Sequence, residues 1–112
     1  EALPALLKLA DMTVHGALVL GEWIPYERRD WSAQRCIARI GRRQAVERVG
    51  THSLGDPAWL LPQWLRHVTQ AYGTVPAGTV VTTGSWVGLL KAAARDLVEV
   101  EFDGVGRVSV QL

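Results

Sequence analysis

The fold is decided by the stretch Val98-Glu99-Val100-Glu101-Phe102-Asp103-Gly104-Val105-Gly106-Arg107-Val108-Ser109-Val110. Apolar and polar residues alternate along it, and Asp103-Gly104 is a turn signal between two such runs. We therefore expect two strands, at residues 97–102 and 106–111. The alternation divides the first strand between two faces, one with Val98, Val100 and Phe102 and the other with Glu99 and Glu101.

The stretch before it reads Thr74-Val75-Pro76-Ala77-Gly78-Thr79-Val80-Val81-Thr82-Thr83-Gly84-Ser85-Trp86-Val87-Gly88-Leu89-Leu90. A Pro/Gly turn, a β-branched run and a Thr-Gly-Ser bend follow one another in it, which predicts a buried strand at 79–83 and a bend at 84–88. Further upstream, alternating residues on both sides of a turn at 41–44 predict a hairpin with strands at 36–40 and 45–49.

One amphipathic helix is predicted near residues 57–72, lying on the sheet. Asp56 suits the N-cap, Pro57 the first helical position and Gly73 the end of the helix. Pro62 lies inside the pattern and predicts a kink or a tight first turn. Apolar residues recur at helical spacing along one stripe, namely Leu61, Trp64, Leu65, Val68 and Tyr72.

The N-terminal part carries weaker signals. Residues 2–10 suit a short helix with Pro4 in its first turn. The apolar run 17–20 is too short for a helix and favours a buried strand. Residues 22–33 show no clean period and are interpreted as an ordered loop.

The composition argues against several classes of protein. The net charge of +1 provides no overall field that would attract nucleic acid or acidic membranes. No apolar run reaches the roughly 20 residues that a membrane-spanning helix requires, and no basic-then-apolar leader opens the chain, so we expect a cytoplasmic protein. The single cysteine, Cys36, cannot form an internal disulfide. We interpret it as a small buried hydrophobe, with a reactive thiol as the alternative.

The order and spacing of these features resemble the 2-keto-4-pentenoate hydratases of the fumarylacetoacetate hydrolase superfamily. The matching pieces are Ala10-Asp11, Val19-Leu20-Gly21, Leu54-Gly55-Asp56-Pro57, Tyr72-Gly73, Pro76-Ala77-Gly78 and Thr83-Gly84-Ser85. Met12 departs from the family, which has an asparagine there. The resemblance implies an α+β fold, mostly β, with a mixed sheet or roll. It also implies that the single domain, 1–112, is a partial hydratase-like fold, and the first residue, Glu1, agrees with a piece of a longer product.

The resemblance implies a metal-dependent hydratase or decarboxylase of 2-oxo or 2-hydroxydienoic acids. In that chemistry Mg²⁺ or Mn²⁺ stabilises the enolate that forms on the chelated substrate. The family's carboxylate ligands, two of them in a Glu-x-Glu motif, precede the part of the fold represented here, so we expect the chain to be inactive unless another segment supplies them. The bend alone carries over as a site element, which makes Thr83, Gly84, Ser85 and Trp86 the substrate-binding candidates.

Each bend residue also has a structural interpretation. The Ser85 hydroxyl either contacts substrate or caps its own backbone. Thr83 is otherwise an ordinary strand residue. Trp86 either walls a pocket or fills the core, and we favour the core.

Metal and histidine chemistry have weak candidates. Glu99 and Glu101 lie two apart on a strand, roughly 7 Å from each other, and could share a hard cation. The alternative is a solvated outer face. The three histidines, His15, His52 and His67, have no ligand spacing and are expected at the surface or its boundary. A Ser-His-Asp triad can be drawn from Ser85, His52 and Asp96, but no nucleophile-elbow context supports it.

Two non-catalytic hypotheses remain. An arginine-rich stretch could bind a polyanion, although such arginines usually solvate a hairpin or form ion pairs, and nucleic acid is not the expected partner. Its members are Arg28, Arg29, Arg35, Arg39, Arg42, Arg43 and Arg48. Five tryptophans in 112 residues favour an exposed apolar interface. The resemblance likewise implies a homo-oligomer, and the chain could be an oligomerising or small-molecule-binding lobe without catalysis.

Overall fold

The computed structural model describes residues 16–112, so the predicted helix at 2–10 lies outside the described residues. A four-stranded sheet and one α-helix form an α+β fold that is mostly β, as predicted. The elements are a short 3-10 helix (Trp31–Ala33), β1 (Arg35–Ile40), β2 (Val46–Val49), α1 (Leu61–Tyr72), β3 (Leu97–Phe102) and β4 (Gly106–Gln111). All three strand pairings are antiparallel, so the mixed sheet that the resemblance implied is not found among the described strands.

The sheet has the strand order β2-β1-β3-β4, and its register confirms the predicted division of β3 between two faces. Residues directly opposite each other in a ladder project to the same side of the sheet. On the apolar side the opposed pairs of β1 and β3 are Cys36 with Phe102, Ala38 with Val100 and Ile40 with Val98. On the other side Arg39 lies opposite Glu99 and the buried Ile37 lies opposite Glu101, so the two glutamates of β3 share one face, as predicted, but that face also holds an apolar residue of the core.

The core centres on β1. Its buried apolar residues are Cys36, Ile37, Ala38 and Ile40. Trp86, from the segment between β2 and β3, is buried as well. Cys36 is fully buried, which confirms its interpretation as a small hydrophobe, and this burial raises the pKa of its thiol. Gln34 is a buried polar residue at the start of β1, and its side-chain amide donates to the carbonyl oxygens of Arg35 and Asp103. The Cys36 thiol therefore packs in the core and is not a nucleophile.

The helix α1 begins four residues later than Pro57. The Asp56 carboxylate accepts the Ala58 N–H at 2.8 Å and closes a turn before the helix, so Asp56 is not the N-cap. Pro62 therefore lies in the first turn, where its missing N–H costs nothing. Gly73 ends the helix as predicted, with a φ of 87°. No residue of α1 is buried, so the prediction that this helix lies packed on the sheet is wrong. No helix within residues 16–112 is long and apolar enough to cross a membrane.

Two predicted strands, at 17–20 and 79–83, are wrong. Both segments are irregular, and residues 17–20 are exposed. Gly21 approaches β4, where an added Cβ would lie 3.3 Å from the Arg107 carbonyl oxygen, but the segment before it does not extend the ladder. β propensity describes how a residue fits beside a partner strand, and neither segment has one among the described residues.

Several large apolar side chains of residues 16–112 remain in solvent. Leu89, Trp23 and Tyr26 are each more than two-thirds exposed. Apolar surface of this size on a small domain is typical of an interface.

Candidate functional site

The predicted bend at 84–88 is present and is held by polar contacts to residues that follow β2. The Thr51 hydroxyl donates to the Trp86 carbonyl oxygen at 2.5 Å, and the His52 ring nitrogen Nε2 lies 3.1 Å from the Thr83 carbonyl oxygen. Gly84 has a φ of 137°, a conformation that favours glycine. Thr51 and His52 therefore fasten the bend at two points, Thr83 directly before it and Trp86 within it.

The Ser85 side chain caps this bend from within. Its Oγ accepts the Gly88 N–H at 2.7 Å, which is the local role expected of a serine that follows a glycine. The residue is exposed, and a hydroxyl that accepts one hydrogen bond still has its own hydrogen to donate. Capping and contact with an external oxygen atom are thus compatible at Ser85.

His52 is buried, which corrects the expectation that it lies at the surface or its boundary. Its Nδ1 accepts the Leu54 N–H at 3.2 Å, and its Nε2 faces the Thr83 carbonyl oxygen. Nothing in the local sequence marks this burial, because the partner carbonyl lies 31 residues away along the chain. The only hint is that Thr51-His52 directly follows the glycine that ends the hairpin.

Trp86 is a core residue, which confirms the favoured interpretation. Its ring lies 6.1 Å from that of Trp31, 5.6 Å from that of His52 and 5.5 Å from that of Phe102, the last in an edge-on arrangement. Its indole nitrogen Nε1 is buried and has no hydrogen-bond partner in the described part of the chain. The aromatic cluster joins the bend to the apolar face of the sheet.

Glu99 and Glu101 lie among arginines on the opposite face. Arg39 is the cross-strand neighbour of Glu99 and forms an ion pair with Glu101 at 3.6 Å, and Arg107 is the cross-strand neighbour of Glu101. Residues 16–112 hold no group of three or more His, Cys, Asp or Glu side chains placed to bind a metal ion. The described residues therefore do not fit a metal centre by themselves.

The other polar candidates have structural partners. The Asp96 carboxylate binds Arg43, and the Ser85 and His52 side chains bind backbone groups, so these residues do not form a Ser-His-Asp triad. His67 is exposed on α1, and His15 lies outside the described residues. His52 contributes to the bend as a hydrogen-bonding group and not as the general base of a nucleophile.

Most of the arginine-rich stretch is engaged in pairing. The ion pairs are Arg29 with Glu27, Arg35 with Glu47 and Asp103, Arg39 with Glu101, and Arg43 with Asp96. The Arg35 guanidinium binds both Glu47 carboxylate oxygens, at 2.6 and 2.9 Å, which lowers the pKa of Glu47. These pairs leave less free positive charge for a polyanion than the sequence count suggests.

Together the sheet, the helix and the fastened bend define an α+β lobe that presents a serine and backbone groups on a hydrogen-bonded turn. The family model described as the C-terminal part of fumarylacetoacetate (FAA) hydrolase matches residues 4–112. The chain therefore belongs to the fumarylacetoacetate hydrolase family, which confirms the resemblance at superfamily level. Comparisons with curated proteins and with solved structures find no match. Hydratase, hydrolase and decarboxylase activities are typical of the superfamily, and its members commonly use divalent metal ions.

Proposed function

We propose that this chain is a lobe of a metal-dependent hydratase or decarboxylase that acts on 2-oxo or 2-hydroxydienoic acids. The Gly84-Ser85 bend contacts the carboxylate or keto oxygen of the substrate in this proposal, with Thr83 and Trp86 as supports. The observation that carries it is the double fastening of the bend by Thr51 and His52. Donors held in place before the substrate arrives stabilise developing negative charge without a reorganisation cost.

The metal ion has a separate origin in this proposal. Because residues 16–112 do not form a three-ligand group, the ligands for Mg²⁺ or Mn²⁺ come from another segment. Glu99 and Glu101 are the weaker alternative, since their cross-strand arginines already neutralise much of their charge. What the described residues contribute is the orientation of substrate oxygen atoms at the bend.

Binding of a 2-oxo acid tests the contact at the bend. We expect 2-oxopentanoate to shift the amide resonances of Gly84 and Ser85, and pentanoate, which lacks the keto oxygen, to bind more weakly. Ser85→Ala should weaken binding about tenfold, the usual loss for one hydrogen bond to a charged group. Ser109→Ala is the matched control, because Ser109 lies on the face of the sheet that carries Glu99. Equal binding by the Ser85 and Ser109 variants would remove Ser85 from the site.

Turnover tests the origin of the metal ligands. The ultraviolet absorbance of 2-hydroxypenta-2,4-dienoate should not decay with this chain alone, with or without Mg²⁺ or Mn²⁺. Metal-dependent decay that Glu101→Gln abolishes would assign the ligands to Glu99 and Glu101. Metal-dependent decay that survives this substitution would assign them to other residues of the chain.

Exposed apolar side chains favour a second candidate, an oligomerising lobe that binds small molecules without catalysis. Leu89, Trp23 and Tyr26 are each more than two-thirds exposed, and exposed apolar surface of this kind is typical of interfaces between proteins. A second copy of the chain is the occupant that we propose. Sedimentation at micromolar concentration should show a dimer or larger assembly, and a monomer under these conditions would contradict the assembly.

A further inference from the structure

The strongest feature outside the proposed substrate contact is the buried His52 ring behind the bend. We propose that His52 is a positioning residue that sets the direction of the Gly84-Ser85 backbone through one fixed tautomer. The inference rests on the proposed function only in the identity of the ligand that the bend binds. The hydrogen bonds that carry it, to Leu54 and Thr83, involve described residues only.

The two contacts of the ring assign its proton. The Leu54 N–H donates to Nδ1 at 3.2 Å, so Nδ1 is the acceptor and carries no hydrogen. The hydrogen of the neutral ring is then on Nε2, 3.1 Å from the Thr83 carbonyl oxygen, to which it donates. The other tautomer would place two donors against each other at Leu54 and two acceptors against each other at Thr83. One proton position therefore satisfies both ends of the ring.

The contact to Thr83 controls the next residue because a trans peptide is planar. Its carbonyl oxygen and the following N–H point in opposite directions, so a carbonyl held towards His52 turns the Gly84 N–H away from the ring. An added Cβ on Gly84 would lie 3.0 Å from Nε2, so the glycine also lets the ring approach the bend closely. Thr51 fixes the Trp86 carbonyl oxygen in the same way, two residues beyond Gly84.

His52 acts through the bend and not on the substrate. Only 6% of the residue is exposed, and both ring nitrogens are occupied by backbone partners. A group in this position orients donors for a carboxylate or keto oxygen without exchanging a proton with it. The chemistry that it serves is recognition of an anionic oxygen at Gly84 and Ser85.

The tautomer can be measured on the unaltered chain. Long-range proton–nitrogen correlation spectra, recorded at a pH where the ring is neutral, should show the hydrogen of His52 on Nε2. A neutral ring with its hydrogen on Nδ1 would overturn the inference. This measurement needs no substitution and does not depend on substrate.

Two substitutions separate positioning from filling of space. His52→Gln keeps a donor near the position of Nε2 but has no atom that matches Nδ1, whereas His52→Phe keeps ring volume and loses both bonds. We expect the Gly88 amide, which donates to Ser85, to exchange at least about tenfold faster in the Phe variant and near the native rate in the Gln variant. The Leu54 amide should exchange faster in both. His67→Gln, on the exposed face of α1, should change neither amide.

The same variants link the bend to its ligand. The affinity for 2-oxopentanoate should fall about tenfold in His52→Phe and return to within about threefold of native in His52→Gln. Unchanged exchange and unchanged affinity in a folded Phe variant would overturn the role of His52 and leave the proposed function standing. Failure of the unaltered chain to bind 2-oxopentanoate would instead overturn the proposed contact, while the tautomer and the exchange rates still decide the role of His52.

Discussion

The sheet and the connection between β2 and β3, residues 50–96, are held by different means. β1 and β3 lie in the middle of the sheet with a strand on each side, and β1 supplies most of the buried apolar residues. In the connection only His52 and Trp86 are buried, and α1 contributes half-buried residues at most. Backbone pairing runs along every strand of the sheet, whereas the connection is fastened at separate points. One is the aromatic cluster beside the candidate site, and another is the end of the connection, where Arg43 binds the Lys91 carbonyl oxygen and the Asp96 carboxylate.

Trp86→Ala should produce the largest effect and should fall on the connection. Replacing a buried tryptophan with alanine costs about 3–5 kcal/mol, so amides in 50–96 should lose protection by that amount in native-state hydrogen exchange. Cys36, fully buried on the apolar face of β1 and with a raised thiol pKa, should stay resistant to thiol labelling. Trp59→Ala, at a position that is 58% exposed, is the control. Equally accelerated labelling of Cys36 would show that sheet and connection unfold as one unit.

Gly50→Ala should come next, because Gly50 stands where the sheet passes into the connection. Its φ is 62°, and an added Cβ would overlap the Ser32 carbonyl oxygen, a backbone atom that cannot easily move. Strain and overlap together predict a loss of about 2–4 kcal/mol in the free energy of unfolding. Gly55→Ala is matched, since its φ is 75° but no atom lies within 4 Å of the added Cβ. Equal losses in urea titrations of the two variants would mean that the joint is not tightly packed.

The sheet could be predicted from sequence because its signals are local. Alternation along 97–102 and 106–111, with Asp103-Gly104 between them, predicts the strands and their faces, and the register agrees. The hairpin around residues 41–44 follows from the same period. The prediction of a strand at 79–83 is wrong because a β-branched run forms a strand only beside a partner strand. The local sequence does not show whether such a partner is present.

Of the candidate site, the bend could be predicted from the sequence, but the residues that hold the bend in place could not. The Gly84-Ser85 bend is encoded by its own residues, and the self-capping of Ser85 is a local preference. What fastens the bend is not local, since His52 and Thr51 reach it from 31 and 35 residues away. Burial of a loop residue has no periodicity, so the sequence leaves His52 looking like a surface histidine.

A smaller effect is expected at the edge of the sheet, where Arg35 binds Glu47. Hydrogen bonding to Arg35 lowers the pKa of Glu47 from its ordinary value of 4.5. The folded chain thus favours the ionised form, and the resulting stabilisation is present above that ordinary value and is lost as the pH falls through the lowered pKa. Stability measured from neutral to acid pH should therefore fall less steeply in Glu47→Gln than in the native chain. Glu22→Gln, at an exposed position, is the control and should follow the native pH dependence. If the stability of Glu47→Gln also falls in parallel with that of the native chain, the pair between Arg35 and Glu47 does not stabilise the sheet.

The smallest effect is expected on the helix of the connection. Tyr72 is 84% exposed, and serine and tyrosine have similar helix propensities, so Tyr72→Ser should change the free energy of unfolding by less than about 0.5 kcal/mol in dilute solution. Urea titrations at several protein concentrations provide the measurement. A second copy that covers α1 would make the native chain more stable with rising concentration, and the variant would lose that increase. A deficit that grows with concentration would therefore assign α1 to the interface, whereas a small, constant difference would leave the helix as exposed surface and place any interface elsewhere on the lobe.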